Sequence, residues 1–359
     1  MARCMALAIL VAVLGIAAHG CSAPLSPAAG AKTEIPRVLD GRARFRQIFC
    51  SLWETRAVSA RTAERCEAAL HRLEDEPGPA AGATWALPTH DPLLRFLVVT
   101  GFLGDCSASI ATPFEVEAEP LRRLGYRIET VVVGSASSAH NASEIAEAVA
   151  EVRLSPKEKL VLLGYSKGAV DILEFLDAFP HLARKVNAVV SVAGAIYGSP
   201  LADLYADRYA RWLPFVPMGS CRPADAGGLE SLRPGVRRAW LEAHRLPAGA
   251  RYYSVVAFAP RENVSWPLRS SYDRLAGIDP RNDGQLSLSD QMIPGGTLLG
   301  FANADHWAIT LPILEKWPLL AMTLATRNSF PRGILIEAIL LYLAEDLGRE
   351  SAQSSRTGS

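Results

Sequence analysis

The sequence has no excess of charge: 37 basic side chains balance 37 acidic ones over 359 residues. That balance removes the electrostatic footprint of a nucleic-acid binder. There is no Cys-x-x-Cys pair and no His-Glu-x-x-His, so the common frames for zinc are missing and no metal site is expected. Neither an internal repeat nor a cofactor motif stands out, and no cofactor is expected. Lysine is scarce beside arginine, which hints only at a GC-rich genome. Six cysteines are too few to make so long a chain a small disulfide scaffold. What is present is ordinary globular composition, 49% apolar and 21% charged. The length allows one large α/β domain or two smaller ones.

The most apolar run, Met5 to Ala18, is too short to span a hydrocarbon core of ~30 Å comfortably. With Arg3 before it and small residues after it, residues 1–23 read as an export signal. Two outcomes stay open. Cleavage after a small residue would release a soluble secreted or periplasmic protein. Alternatively, Ala18-His19-Gly20-Cys21 is similar to a bacterial lipobox, in which a lipidated Cys21 would give an outer-envelope lipoprotein attached to the membrane. Residues 24–36, rich in Pro, Ala and Ser, read as a linker. Residues 351–359 are small and polar and are expected to be disordered. Asn141-Ala142-Ser143 and Asn263-Val264-Ser265 match glycosylation acceptors, which matters only in a eukaryotic secretory route.

Export implies an oxidising compartment, so Cys50, Cys66, Cys106 and Cys221 form an even set with three connectivities. Two helical patterns, Phe45–Glu54 and Arg61–Leu73, predict a helical hairpin within residues 37–90. A Cys50–Cys66 bridge would staple it, a loop closure worth about 3 kcal/mol by the chain-entropy argument. Cys106 and Cys221 are then left for each other.

From residue 93 strands and helices alternate. Strands are predicted at Leu94–Thr100, Arg127–Val133, Lys159–Leu163, Val186–Val192, Arg251–Phe258 and near Thr297–Phe301. Helices are predicted at Val116–Leu124, Asn141–Val152, Gly168–Phe179 and Ile334–Leu347. Such alternation implies parallel βαβ crossovers and a sheet covered on both faces, and the near-continuous apolar strands agree. Residues 196–248 break the pattern with prolines, aromatics and arginines. They read as an insertion over the sheet, either a lid or a packed helical excursion.

The sharpest motif is Gly164-Tyr165-Ser166-Lys167-Gly168. It joins the strand ending at Leu163 to the helix beginning near Gly168. A strand-to-helix turn this tight strains the serine backbone and exposes its hydroxyl. Gly164 and Gly168 flank it because a Cβ there would clash. Serine is a poor nucleophile without a base. Among seven histidines, His306 in Asp305-His306-Trp307 follows a predicted strand and is the best placed base. A carboxylate must orient the imidazole. Asp283, in the turn sequence Asn282-Asp283-Gly284, gives the chain order Ser, Asp, His; Asp279 and Asp290 are rivals, and Asp305 is too close in sequence to face His306 well. An oxyanion hole needs two backbone N–H groups. Lys167 supplies one, and Phe102, with Leu103 second, is the candidate in Thr100-Gly101-Phe102-Leu103-Gly104.

On these residues the sequence resembles the α/β-hydrolase superfamily, and within it bacterial lipases and esterases, over roughly residues 93–347. The resemblance implies a mostly parallel eight-stranded sheet flanked by helices, here with the N-terminal helical hairpin and the inserted lid segment added. It also implies ester substrates, small-molecule or lipid, and a Ser166–His306–Asp283 triad acting through an acyl-enzyme. Thr100 stands where the family commonly has a histidine. A monomer is expected, with no nucleic-acid partner. An acyltransferase on the same fold, or a binding protein on a hydrolase scaffold, are the alternatives.

Overall fold

Apolar residues on both faces of a strand require cover on both faces. The strands β3 (Leu94–Val99), β5 (Lys159–Tyr165), β6 (Val186–Val192), β7 (Arg251–Phe258) and β8 (Thr297–Asn303) meet that requirement, while β4 (Arg127–Val131) lies at an edge with Arg127 and Glu129 exposed. The computed structural model of the chain describes residues 36–56, 66–78, 93–108, 110–212, 224–317 and 330–357. Residues 1–23, expected to be an export signal, most of the expected linker and Cys221 lie outside them, and so does any Cys106–Cys221 pair. Two short strands, β1 (Leu39–Asp40) and β2 (Leu70–His71), complete an eight-stranded sheet of order β1-β8-β7-β6-β5-β3-β4, with β2 also on β8. Every pairing is parallel except β2 with β8. This is the mostly parallel α/β architecture expected.

The pleat sorts the core by odd and even positions. Phe96, Val98, Val161, Leu163, Val190 and Val192 face one layer; Leu97, Val99, Leu160, Leu162 and Val189 face the other. The first layer is covered by α1 (Arg42–Arg56), by α3 (Glu115–Arg123) and by the C-terminal helix; between the first two in the chain lies the single-turn α2 (Cys66–Ala69). The second layer is covered by α4 (Ser138–Glu151) and α5 (Lys167–Ala178). The segment between β6 and β7 carries α6 (Pro200–Trp212) and α7 (Pro234–Ala243); after β7 come α8 (Arg269–Ala276) and, at the end, α9 (Arg332–Thr357).

The N-terminal region departs from a plain helical hairpin. Among the described residues its second arm is α2, after which the chain turns extended and pairs as β2. The reason lies at the edge of the sheet. Unpaired N–H and C=O groups on β8 need a cover. β1 takes Thr297 and Leu298, and β2 takes Phe301 and Ala302. Buried Arg46 locks this arrangement, donating to Leu70 O at 2.9 Å, to His71 O at 2.7 Å and to Glu76 Oε2 at 2.7 Å. The Cys50–Cys66 disulfide joins α1 to α2. The other departure is the C-terminus: α9 runs through Thr357, so residues 351–357 are helical rather than disordered. Once a helix is nucleated each added residue gains a hydrogen bond, so a small polar segment can extend it.

Among the described residues no helix is long and apolar enough to cross a membrane.

Candidate active site

Parallel strands place their following loops at one end of the sheet, and the order …β6-β5-β3-β4 sends consecutive crossovers in opposite directions there. The loop after β3 therefore lies against the turn after β5. At that turn Ser166 has φ 54° and ψ −124°, a conformation L-residues rarely adopt. It persists because its backbone is fastened on both sides: Ser166 N–H donates to Val192 O at 3.2 Å, and Ser166 O accepts from Ala169 and Ala195 N–H, both at 3.2 Å. A Cβ at Gly164 would lie 2.4 Å from Ala169 Cα, and one at Gly168 would lie 2.3 Å from Thr100 O. Both glycines are steric necessities of the turn.

His306 sits three residues beyond β8. Its Nε2 is 2.8 Å from Ser166 Oγ, and its Nδ1 is 2.7 Å from Asp283 Oδ2. Exposure falls along this line, from 9% at Ser166 and 6% at His306 to 0% at Asp283. The serine is thus the least buried of the three and the carboxylate the most. Asp283 is pre-set by its own turn: Oδ1 accepts the N–H groups of Gln285 at 2.8 Å and Leu286 at 2.7 Å, which leaves Oδ2 for the imidazole. Gly284, at φ 92°, makes that turn possible. The three expected side chains are brought together.

The rival carboxylates have other occupations. Asp279 accepts from Arg281. Asp290 lies half-buried, its carboxyl pushed up to about 7 by burial. Asp305 is fully buried and faces away from the imidazole, accepting from the Ser265 N–H at 2.7 Å and the Ser265 hydroxyl, and from the N–H groups of Trp307 at 3.0 Å and Ala308 at 2.8 Å. Burial raises its proton affinity, and the Ser265 and Ala308 donors oppose that. Its place is to shape the turn carrying His306. Tyr165 helps from below, its hydroxyl donating to His306 O at 2.7 Å. Burial, and then the nearby Asp283 charge, raise the Tyr165 pKa well above that of a free phenol, so it stays a donor. Sequence reasoning gave Asp305 and Tyr165 no role; only their spacing from His306 and Ser166 hinted at one.

The loop after β3 forms a turn in which Gly104 N–H donates to Gly101 O at 3.0 Å. Leu103 takes φ 64° within it. The turn's own bond does not use the Phe102 N–H. The loop presses on the nucleophile: a Cβ on Gly101 would lie 3.0 Å from Ser166 Cβ. Lys167 opens α5, and a first helical N–H has no acceptor within its helix. Both candidate donors therefore flank Ser166. The Phe102 ring meets Tyr209 of α6 edge-on at 5.4 Å, so the inserted segment reaches the rim of the site. No group of His, Cys, Asp and Glu suited to a metal ion occurs among the described residues.

No protein-family model and no curated protein matches the chain. Among solved structures, a metagenomic carboxyl esterase is 39% identical, covering 94% of this chain and 99% of that one with a TM-score of 0.80. The mature form of a Bacillus licheniformis lipase, 21% identical, covers 66% of this chain and 94% of that one with a TM-score of 0.51, a likeness of fold. By its likeness to the first of these, along almost the whole of both chains, the chain belongs to the α/β-hydrolase superfamily and is a serine hydrolase.

Proposed function

We propose that the protein is an exported carboxylic ester hydrolase in which Ser166 is the nucleophile, His306 the base and Asp283 its partner. The carrying observation is the unbroken hydrogen-bonded line from Ser166 Oγ through both ring nitrogens of His306 to Asp283. Ser166 Oγ attacks the ester carbonyl while His306 Nε2 takes its proton. The charge on the imidazolium is balanced by Asp283, already oriented by its turn. The carbonyl oxygen becomes an oxyanion facing the N–H groups of Phe102 and Lys167. Collapse breaks the ester C–O bond, and the leaving alkoxide takes the proton held by His306. Water, deprotonated by His306, then attacks the acyl-enzyme and restores Ser166.

The aromatic contact of Phe102 with Tyr209 beside the oxyanion loop favours acyl or aromatic esters as substrates. A series of nitrophenyl esters of increasing acyl length measures that preference. A fluorophosphonate probe should label the wild type and leave Ser166→Ala unlabelled; equal labelling of both removes the assignment. Export rests on residues 1–23, with either a released soluble protein or one held to the membrane through lipidated Cys21. Cell fractionation with a Cys21→Ala variant separates the two. The working unit is a monomer, which light scattering on the purified protein tests.

A further inference from the structure

Beneath the nucleophile lies an ion pair that the ester chemistry does not use. Lys167 and Asp171 stand one turn apart on α5, with both side chains wholly buried, and Lys167 Nζ donates to Asp171 Oδ1 at 2.6 Å. The other carboxylate oxygen accepts from Asn141 Nδ2 of α4 at 2.8 Å, and the same amide nitrogen donates to Gly134 O at 2.9 Å. Asn141 is itself fully buried. Because both its partners are acceptors, its amide orientation is fixed by chemistry.

Stability alone is a poor reason for such an array. A buried ion pair gains little over apolar side chains of the same volume, since desolvation offsets its attraction. What it supplies is direction. Charge-assisted bonds are short and strongly oriented. Here they run from the residue after the nucleophile to the backbone just beyond β4. The neighbouring Val133 N–H donates to Thr100 Oγ1 at 3.1 Å, and Thr100 leads directly into Gly101 and Phe102. Thr100 O in turn faces Gly168 so closely that a Cβ there would be 2.3 Å away. A closed circuit of contacts thus connects the Lys167 segment with the Phe102 segment.

We propose that Lys167, Asp171 and Asn141 form a buried positioning array that keeps the Lys167 and Phe102 N–H groups in mutual register. The proposal rests on the reading that these two groups receive the oxyanion. The array touches no substrate. It acts through the first turn of α5, opposing rotation of the peptide that carries the Lys167 N–H.

Two variants test it. Asn141→Leu cuts the circuit but keeps the ion pair. Lys167→Met with Asp171→Leu removes both charges and keeps the volume. In each, kcat on a nitrophenyl ester should fall by about tenfold, less than the roughly 100-fold or greater cost of deleting a donor outright. KM should stay within about twofold, since substrate binding before the charge develops is not at issue. Affinity for a boronic acid, whose adduct on Ser166 is tetrahedral and anionic, should weaken in step with kcat/KM. The double variant should also regain most of the thermal stability lost in either single charge variant without regaining kcat. A purely structural pair predicts the opposite: rate and stability recovering together. Folded Asn141→Leu and double variants with wild-type kcat overturn the proposal; if one does not fold the other decides, and Asn141→Ser replaces both if neither folds. Wild-type protein that neither turns over esters nor takes the fluorophosphonate overturns the ester-hydrolase reading itself, and the array's role with it.

Discussion

His306 and Asp283 are joined twice. Their side chains meet at 2.7 Å, and the His306 N–H also donates to Asp283 O at 2.8 Å. Backbone and side chain therefore move together, and the carboxylate does not depend on a flexible loop for its aim. Asp305, next to His306 in the chain, is instead committed to Ser265 and to its own turn. The two aspartates should respond differently to the same change. Asp283→Asn should lower kcat by roughly 10⁴-fold, because the amide favours the wrong imidazole tautomer, with little change in unfolding temperature. Asp305→Asn should lower the unfolding temperature more than it lowers kcat, because it weakens four bonds to its donors, three of them buried. Nitrophenyl ester kinetics and thermal unfolding on both variants check this; an Asp305→Asn enzyme slower than Asp283→Asn would exchange their roles.

Gly168 makes a second, purely steric prediction. A methyl group there would enter the carbonyl of Thr100 at 2.3 Å and approach Val99 O at 2.7 Å. Both neighbours are backbone at the end of a central strand and have no room to retreat. Gly168→Ala should lose about 1–3 kcal/mol or more through overpacking and should displace the oxyanion loop as well. Urea denaturation and kcat measured together should both fall. Gly235, whose added Cβ would meet nothing within 4 Å, supplies the control.

The parts of this architecture that follow a local rule were readable from sequence. Strands β6 and β7 begin and end where their apolar runs do, at Val186–Val192 and Arg251–Phe258. The Gly-x-Ser-x-Gly turn was readable because only glycine fits where a Cβ would strike neighbouring backbone, as at Gly164 and Gly168. What was unreadable depends on contacts distant in the chain. β2 is extended because β8 offers an open edge, not because Leu70-His71 has strong strand propensity. Leu103 and Phe114 take positive φ without any glycine to announce it. Nothing local in the sequence marks Lys167 and Asp171, four apart on a helix, as buried; only the fold shows it.

Glu337 gives the stability of the protein a pH dependence of definite sign. It lies on α9, 1% exposed, paired with Arg56 through one oxygen and without a partner for the other. Burial pushes its carboxyl up from 4.5 to about 7, against the pull of Arg56. Between these values the folded protein holds a proton that the unfolded chain has released. Stability from this group is therefore present at the acid end of the window and is lost as pH rises through about 7. Urea midpoints of the wild type minus those of Glu337→Gln should fall from about pH 5 to about pH 8. A difference that is flat or rises with pH contradicts the burial argument. Asp290, also raised to about 7, contributes with the same sign and is unaltered in both proteins, so it cancels.

The Cys50–Cys66 disulfide and the β8 edge together make the last prediction. The bridge spans 16 residues and holds α1 to α2, and α2 leads straight into β2. Breaking it restores the freedom of that loop in the unfolded chain, a loss of about 3 kcal/mol. The loss should be local before it is global. Arg46 still anchors Leu70 and His71, but β2 is only two residues long and cannot hold an edge unaided. A Cys50→Ala/Cys66→Ala protein should therefore show faster amide exchange at Phe301 and Ala302, which β2 covers, than at Thr297 and Leu298, which β1 covers. It should also self-associate as the β8 edge opens. Ester turnover should survive, because His306 is held by Asp283 and Tyr165 rather than by the hairpin. Exchange that speeds equally along the whole of β8 would mean that the disulfide stabilises the domain at large and not this edge.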